Sequence, residues 1–310
     1  MPGLRLFILI SVLWTASQAL ADFSDCYLIN ECSKFRRDPA SPAPGGSQIK
    51  INPSAVPTEK GLGLEAIYFN PSADFSIVRG NGKVGAALSP SNSEETFFGA
   101  PGFELMDDLW ERKHKQKKYP NQKLTLASAF DIVDRKGSGH RRYSLKVGAM
   151  GKYNTQSQNA TLGGGINGIW GPFSAGYSVY DDQTQLEYSE ELKKIIKYRV
   201  NTYNVALHLS SLILSYSNLH LVEEKETYEA RVQTYTASLA LGKFIFTGSK
   251  RVEDSPAWAY NYETKELEEK QIKEEYFGGV QYALSRRFMI GALYNYYLLR
   301  EGSVTATLFF

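Results

Sequence analysis

Several sets of side chains in this 310-residue chain have types and spacings that could do chemistry. His208-Leu209-Ser210 sets an imidazole two residues from a hydroxyl, the pairing in which a histidine serves as base for a serine nucleophile. Cys26 and Cys32 form a C-x5-C pair, and Arg112, Lys113, His114, Lys115, Lys117 and Lys118 concentrate positive charge after Asp107, Asp108 and Trp110. The acidic pairs Glu190-Glu191 and Glu223-Glu224 fall in stretches that read as connections, where a solvated charge is the default. His140 stands in a Gly-Ser-Gly-His turn and His220 near a strand end, so neither joins a constellation. The cysteine pair lacks the further ligands a zinc site needs, and no metal or cofactor is expected.

The start of the chain fixes the compartment in which these groups work. Arg5 precedes the apolar run Leu6–Trp14, and Ala19-Leu20-Ala21 follows as an A-x-A cleavage pattern, so residues 1–21 read as a secretory signal peptide. The apolar stretch is too short to span a bilayer as a helix. Exported into an oxidising compartment, Cys26 and Cys32 are expected to close a small disulfide loop. Residues 22–60 then form an N-terminal segment whose Pro39-Ala40-Ser41-Pro42-Ala43-Pro44-Gly45-Gly46 stretch has linker composition. Beyond the signal peptide no run of eighteen apolar residues occurs, and mean hydropathy is −0.33, which argues against helical membrane spans. The net charge of +2 gives no case for nucleic acid as a partner.

Strands carry the rest, residues 61–310. The last segment, Ser303-Val304-Thr305-Ala306-Thr307-Leu308-Phe309-Phe310, alternates strictly, with Val304, Ala306, Leu308 and Phe310 on one face. Reading backward, Phe288, Ile290, Ala292, Tyr294 and Tyr296 continue that apolar phase, as do Phe173, Ala175, Tyr177 and Val179, and Tyr143, Leu145, Val147 and Ala149. Tight connections at Ser285-Arg286, Gly242, Ser210-Ser211 and Gly171-Pro172 alternate with long charged ones at 89–122, 181–197 and 251–273. Counting from Lys83 gives about twelve strands. Leu62–Phe69 and Phe75–Val78 could add a hairpin and make fourteen, or residues 61–82 could fold inward as a plug.

A terminal aromatic closing an alternating strand resembles the C-terminal signal of bacterial outer-membrane β-barrel proteins. The 13% aromatic content, with 20 Tyr and 16 Phe, suits the interfacial girdles of such barrels. The fold expected from this resemblance is an all-β transmembrane up-and-down antiparallel barrel. The resemblance implies that both termini are periplasmic, that the long charged loops are extracellular, and that Val304, Ala306, Leu308 and Phe310 engage the barrel-assembly machinery. Asn70-Pro71-Ser72-Ala73 after Tyr68-Phe69 loosely resembles the Asn-Pro-Ala stretch near the N-terminus of FadL-type fatty-acid and hydrocarbon channels, which are longer.

With sidedness set, the candidate groups sort themselves. His-x-Ser resembles the pair of outer-membrane phospholipases, but no Asn-Gly follows Ser210, and Tyr203, Val205, Leu207 and Leu209 take the lipid phase. That turns His208 inward at a periplasmic turn, and no enzyme activity is expected. Arg112, Lys113, Lys115, Lys117 and Lys118 fall on an extracellular loop, either as a solvated run or as a site for lipopolysaccharide phosphates and anionic solutes. The inward row contains Lys146, Asn167, Ser178, Asn204, His208, Ser215, Ser217, Gln281 and Asn295, mostly small neutral polar groups. It fits a narrow, weakly selective pore or a lumen filled by the N-terminal segment and loops. The expected activity is passage or uptake of a small solute, with an apolar one among the candidates. The alternative is a structural or adhesive surface barrel with a plugged lumen, in contact with outer-membrane lipid.

Overall fold

The computed structural model describes residues 50–58, 60–69, 72–91, 123–135, 143–155, 157–187, 193–209, 211–224, 229–253, 257–261, 266–270, 274–285, 288–295 and 301–310. The strands are β1 (Gly61–Phe69), β2 (Ser72–Gly80), β3 (Val84–Ser91), β4 (Lys123–Arg135), β5 (Tyr143–Asn154), β6 (Asn159–Trp170), β7 (Phe173–Glu187) and β8 (Lys193–Leu209). They continue with β9 (Leu212–Glu223), β10 (Glu229–Leu241), β11 (Phe244–Glu253), β12 (Ala257–Asn261), β13 (Glu266–Lys270), β14 (Glu274–Ala283), β15 (Phe288–Asn295) and β16 (Glu301–Phe309). All but β12 and β13 form one closed antiparallel barrel in chain order, with β16 returning to pair with β1. Closure matters because a sheet that ends on itself leaves no edge with unpaired backbone groups.

Fourteen strands therefore replace the expected twelve. Residues 61–80 are not a plug: β1 pairs with β2 from Gly61↔Gly80 to Phe69↔Ser72 and with β16 from Gly63↔Phe309 to Phe69↔Ser303. Glu65 and Ser76 keep the two-residue period as inward, buried residues, but β2 reads weakly in sequence because its inward row also holds Val78 and its exposed row Arg79. Two connections were also longer in expectation than in fact. Residues 181–187 and 193–197 extend β7 and β8 as paired strand, from Asp181↔Arg199 to Glu187↔Lys193. Within 251–273, β12 and β13 form a separate two-stranded sheet.

Alternation sorts the two faces throughout. Leu162 (75% exposed), Trp170 (70%), Leu126, Ile166, Val205 and Val304 stand on the outside, while the neighbours of Leu126 and Val205 along their strands are buried and those of Leu162, Ile166 and Trp170 half-buried. Aromatic side chains group toward both ends of that surface. Tyr203, Tyr216 and Tyr235 adjoin one another, with ring centroids 6.1 Å and 5.1 Å apart, away from the Phe310 end. Tyr143 with Trp170 (6.5 Å) and Phe244 with Tyr282 (4.6 Å) flank the tight turns at the Phe310 end. Two of those turns use a left-handed glycine, Gly171 and Gly242, both at φ 57°, a conformation a side chain with a Cβ resists. In β4 a bulge between Asp131 and Val133 places Ile132 and Val133 both outside and leaves Asp131 inward.

Closure through β1 is open to a direct check. Ala66 and Ala306 are partners across the seam, so Ala66→Cys with Ala306→Cys, in a Cys26→Ser, Cys32→Ser background, should cross-link on oxidation. Non-reducing gel mobility of the refolded protein reads the outcome; a pair that stays reduced would mean that β1 and β16 do not meet.

Candidate functional site

The site is the barrel interior, and its first feature is a segment of the chain that lies inside it. Lys50–Thr58 packs against the inner faces of β4, β5 and β6 through the short helix η1 (Pro53–Ala55). Lys50, Asn52, Ser54, Val56 and Thr58 are all at most 2% exposed. The turn forms because Asn52 caps it: its Oδ1 accepts from the Ser54 amide (3.0 Å) and hydroxyl (2.6 Å), and Pro53 supplies a fixed φ at the first helical position. Of residues 22–60, then, this part runs within the barrel.

Glycines on the inner face make room for it. A Cβ on Gly165 would lie 2.2 Å from Asn52 Oδ1, one on Gly148 2.4 Å from the Pro53 carbonyl carbon and the Ser54 nitrogen, and one on Gly85 2.1 Å from the Pro57 oxygen. Gly148 and Gly165 are direct partners on adjacent strands and Gly85 lies two strands from Gly148, so together they form a trough along the segment. Polar contacts then fix the segment's height. Ser178 donates to the Ile51 carbonyl at 2.8 Å and also meets Thr202. At the foot, Thr58 donates to Asp131, Lys146 Nζ donates to Thr58 Oγ1 (3.1 Å) and lies 3.7 Å from Asp131, and the Gly82 amide donates to the Thr58 carbonyl (2.7 Å).

Toward the other end the lumen holds a buried ionic cluster. Lys123 Nζ lies 2.9 Å from Asp182 Oδ1 and Lys152 Nζ 3.3 Å from Oδ2, with each of these side chains at most 2% exposed. Lys123 also donates to the Tyr198 hydroxyl (3.3 Å), and the Lys152 ammonium sits 3.8 Å from the centre of the Tyr180 ring. The wall of β9–β11 contrasts with this. Its described inward side chains are neutral, and hydroxyls bridge β10 and β11 at Thr236–Ser249 (2.9 Å) and Ser238–Thr247 (3.1 Å).

The expected lumen residues distribute over these parts. Lys146 and Ser178 touch the inner segment, and Asn204 is buried beside Gly176, where a Cβ would lie 2.3 Å from Asn204 Oδ1. His208 Nε2 and Ser174 Oγ are 3.0 Å apart, so the imidazole bonds to a serine one strand over, while Ser210 lies outside the described residues. Ser215 and Gln281 are buried, Asn167 and Ser217 half-buried, and the side chain of Asn295 lies outside the description. Cys26, Cys32 and the run Arg112 to Lys118 also lie outside the described residues. Val304 and Phe310 stand on the outer surface.

Sequence reasoning missed Lys123, Lys152, Asp131 and Asp182. Lys152 shares the phase of Lys146 and could have been found by carrying the alternation on. Asp182 was hidden because the charges after Tyr180 read as loop. Among the described residues no cluster of His, Cys, Asp and Glu could hold a metal.

No protein-family model and no curated protein matches the chain. Solved structures do. The Pseudomonas putida toluene transporter TodX is 10% identical with a TM-score of 0.40, covering 87% of this chain and 93% of that one. OmpT, an outer membrane protein of Vibrio cholerae, is 9% identical with a TM-score of 0.37, covering 81% and 97%. A porin is 9% identical with a TM-score of 0.35, covering 77% of this chain, which spans 62% of that porin's length.

Two outcomes follow from the geometry. Gly165→Val should drive Lys50–Thr58 from its seat, so that Val56→Cys in that background reacts with a water-soluble maleimide at least tenfold faster than Val56→Cys alone. Removing Asp182 leaves two buried ammonium groups without their shared carboxylate, so Asp182→Ala should cost about 3–5 kcal/mol in denaturant unfolding.

Proposed function

We propose that this chain is a bacterial outer-membrane barrel with both ends on the periplasmic side, and that it admits a small solute through a lumen obstructed by Lys50–Thr58. An outer surface of Leu, Val, Ile and aromatic side chains bounded by two aromatic groups fits a hydrocarbon environment, and an inner face with buried Lys, Asp, Ser and Thr side chains beside an apolar cluster of Met150, Val200, Leu221 and Val232 fits an enclosed lumen. The observation that carries the channel reading is how the obstruction is held. Lys50–Thr58 is not a strand of the wall. It rests in a glycine trough by a handful of side-chain hydrogen bonds, so it can leave without opening the barrel. An apolar solute remains among the candidates, as does a small neutral polar one suited to the hydroxyl-lined wall of β9–β11.

A second reading is a structural or adhesive barrel whose lumen stays filled. The complete burial of Asn52, Ser54 and Val56, together with the Lys123–Asp182–Lys152 cluster, favours it.

Single-channel recording in planar bilayers separates the two. The full chain should pass little current, and a chain lacking residues 22–58 should show discrete steps at least severalfold larger. A deleted chain that keeps heat-modifiable gel mobility yet passes no current would sink the channel reading in favour of the filled barrel.

A further inference from the structure

A groove of about 660 Å³ crosses β6–β9 on the outer wall near the Phe310 end. Its floor is the backbone of Ile169, Ser174, Ala206 and Ser215, whose side chains turn to the lumen. Trp170, Phe173 and Leu214 stand along the side nearer the turns, and Val205 and Tyr216 along the other. The depth comes from two small residues, Gly168 and Ala175, which are direct partners in a row otherwise carrying large side chains.

Gly168 differs from the inner glycines in a telling way. A Cβ there would meet only the Ser144 oxygen at 3.7 Å and Leu145 Cδ1 at 3.8 Å, which is ordinary contact. Nothing inside the fold demands a glycine at that position, so its absent side chain leaves space on the outside. Trp170, 70% exposed, and Phe173, 61% exposed, stand beside that space.

We propose that the groove holds an acyl chain of a membrane phospholipid, with the headgroup at the level of the Trp170 indole. This rests on the barrel lying in a membrane as proposed above. Between Tyr203, Tyr216 and Tyr235 on one side and Tyr143 and Trp170 on the other, the groove faces hydrocarbon. Its lining is carbon apart from the Tyr216 hydroxyl, the Trp170 indole N–H at one end and a floor whose backbone groups are already paired within the sheet, so a docked polypeptide would find little to bond. The groove is also one side-chain row wide, far short of the roughly 800 Å² per partner that a stable protein interface buries. Trp170 closes the end next to the Gly171-Pro172 turn, where an indole N–H can reach headgroup oxygens while its ring covers the chain.

Trp14, Trp110 and Trp258 replaced by Phe leave Trp170 as the sole tryptophan reporter. In non-ionic detergent, a phospholipid brominated on its acyl chains should quench Trp170 at least twofold and saturably. Ala175→Leu fills the groove and should raise the concentration for half-quenching at least fivefold; Gly168→Val serves the same purpose if Ala175→Leu fails to refold. Ala292→Leu, on the outer face of β15 away from the groove, should change nothing. Equal half-quenching in the parent and the filled variants would overturn the proposal, and so would a dimer of the parent that Ala175→Leu dissociates. Vesicle reconstitution keeps the two readings apart: a Trp170 that brominated bilayers never quench, but aqueous iodide does, rejects the membrane location itself.

Discussion

Every part of this structure depends on the barrel's closure, the pairing of β1 with β16 that leaves no strand edge among the fourteen. An open sheet of this size in hydrocarbon would expose a column of unpaired amides and carbonyls, each costing several kcal/mol. Once the ring is shut, the period of two does the rest, since each residue must choose the outer surface or the lumen. The outward choice is apolar almost everywhere, and the inward choice is where sequence is free to vary.

That freedom is used in two unlike ways on adjoining arcs of the lumen wall. On β4–β8 the inner face is uneven, alternating absent side chains at Gly148, Gly163, Gly165 and Gly176 with charges at Lys123, Lys146, Lys152 and Asp182. Glycine within a strand costs roughly 0.5–1 kcal/mol relative to alanine. At Gly148 and Gly165 that cost is offset by the buried contacts of Lys50–Thr58, which could not lie so close to the wall beside any Cβ, while Gly163 makes room for Tyr180 and Gly176 for Asn204. Between β10 and β11 the inner face carries hydroxyls that satisfy one another across the strands, Thr236 with Ser249 and Ser238 with Thr247. The segment therefore has one wall shaped to receive it and another that is not.

The outer wall repeats the lesson with the opposite sign. Gly168 and the trough glycines look alike in the run Gly163-Gly164-Gly165-Ile166-Asn167-Gly168, yet alternation sends Gly165 toward Asn52 and Gly168 toward the outer surface. One is required by crowding, and the other leaves space where nothing crowds. Only the register of β5, β6 and β7 separates them.

The sequence by itself determined what is local and periodic. The alternation ending at Phe310, the tight turns at Gly171-Pro172 and Gly242, the outward phase of Tyr143 to Ala149 and the inward turn of His208 are all legible one strand at a time. A two-residue period needs only neighbouring residues to be read. What tertiary structure decided is whatever depends on residues far apart in the chain. The seam of β1 with β16 joins strands more than two hundred residues apart, and so the count of fourteen could not be read from β1 alone. Lys123, Lys152 and Asp182 converge only because β4, β5 and β7 curve around one axis. Asn52-Pro53-Ser54 looked like linker because what fixes it is the space left by glycines roughly a hundred residues downstream, and an absent side chain announces itself only to the segment that fills it.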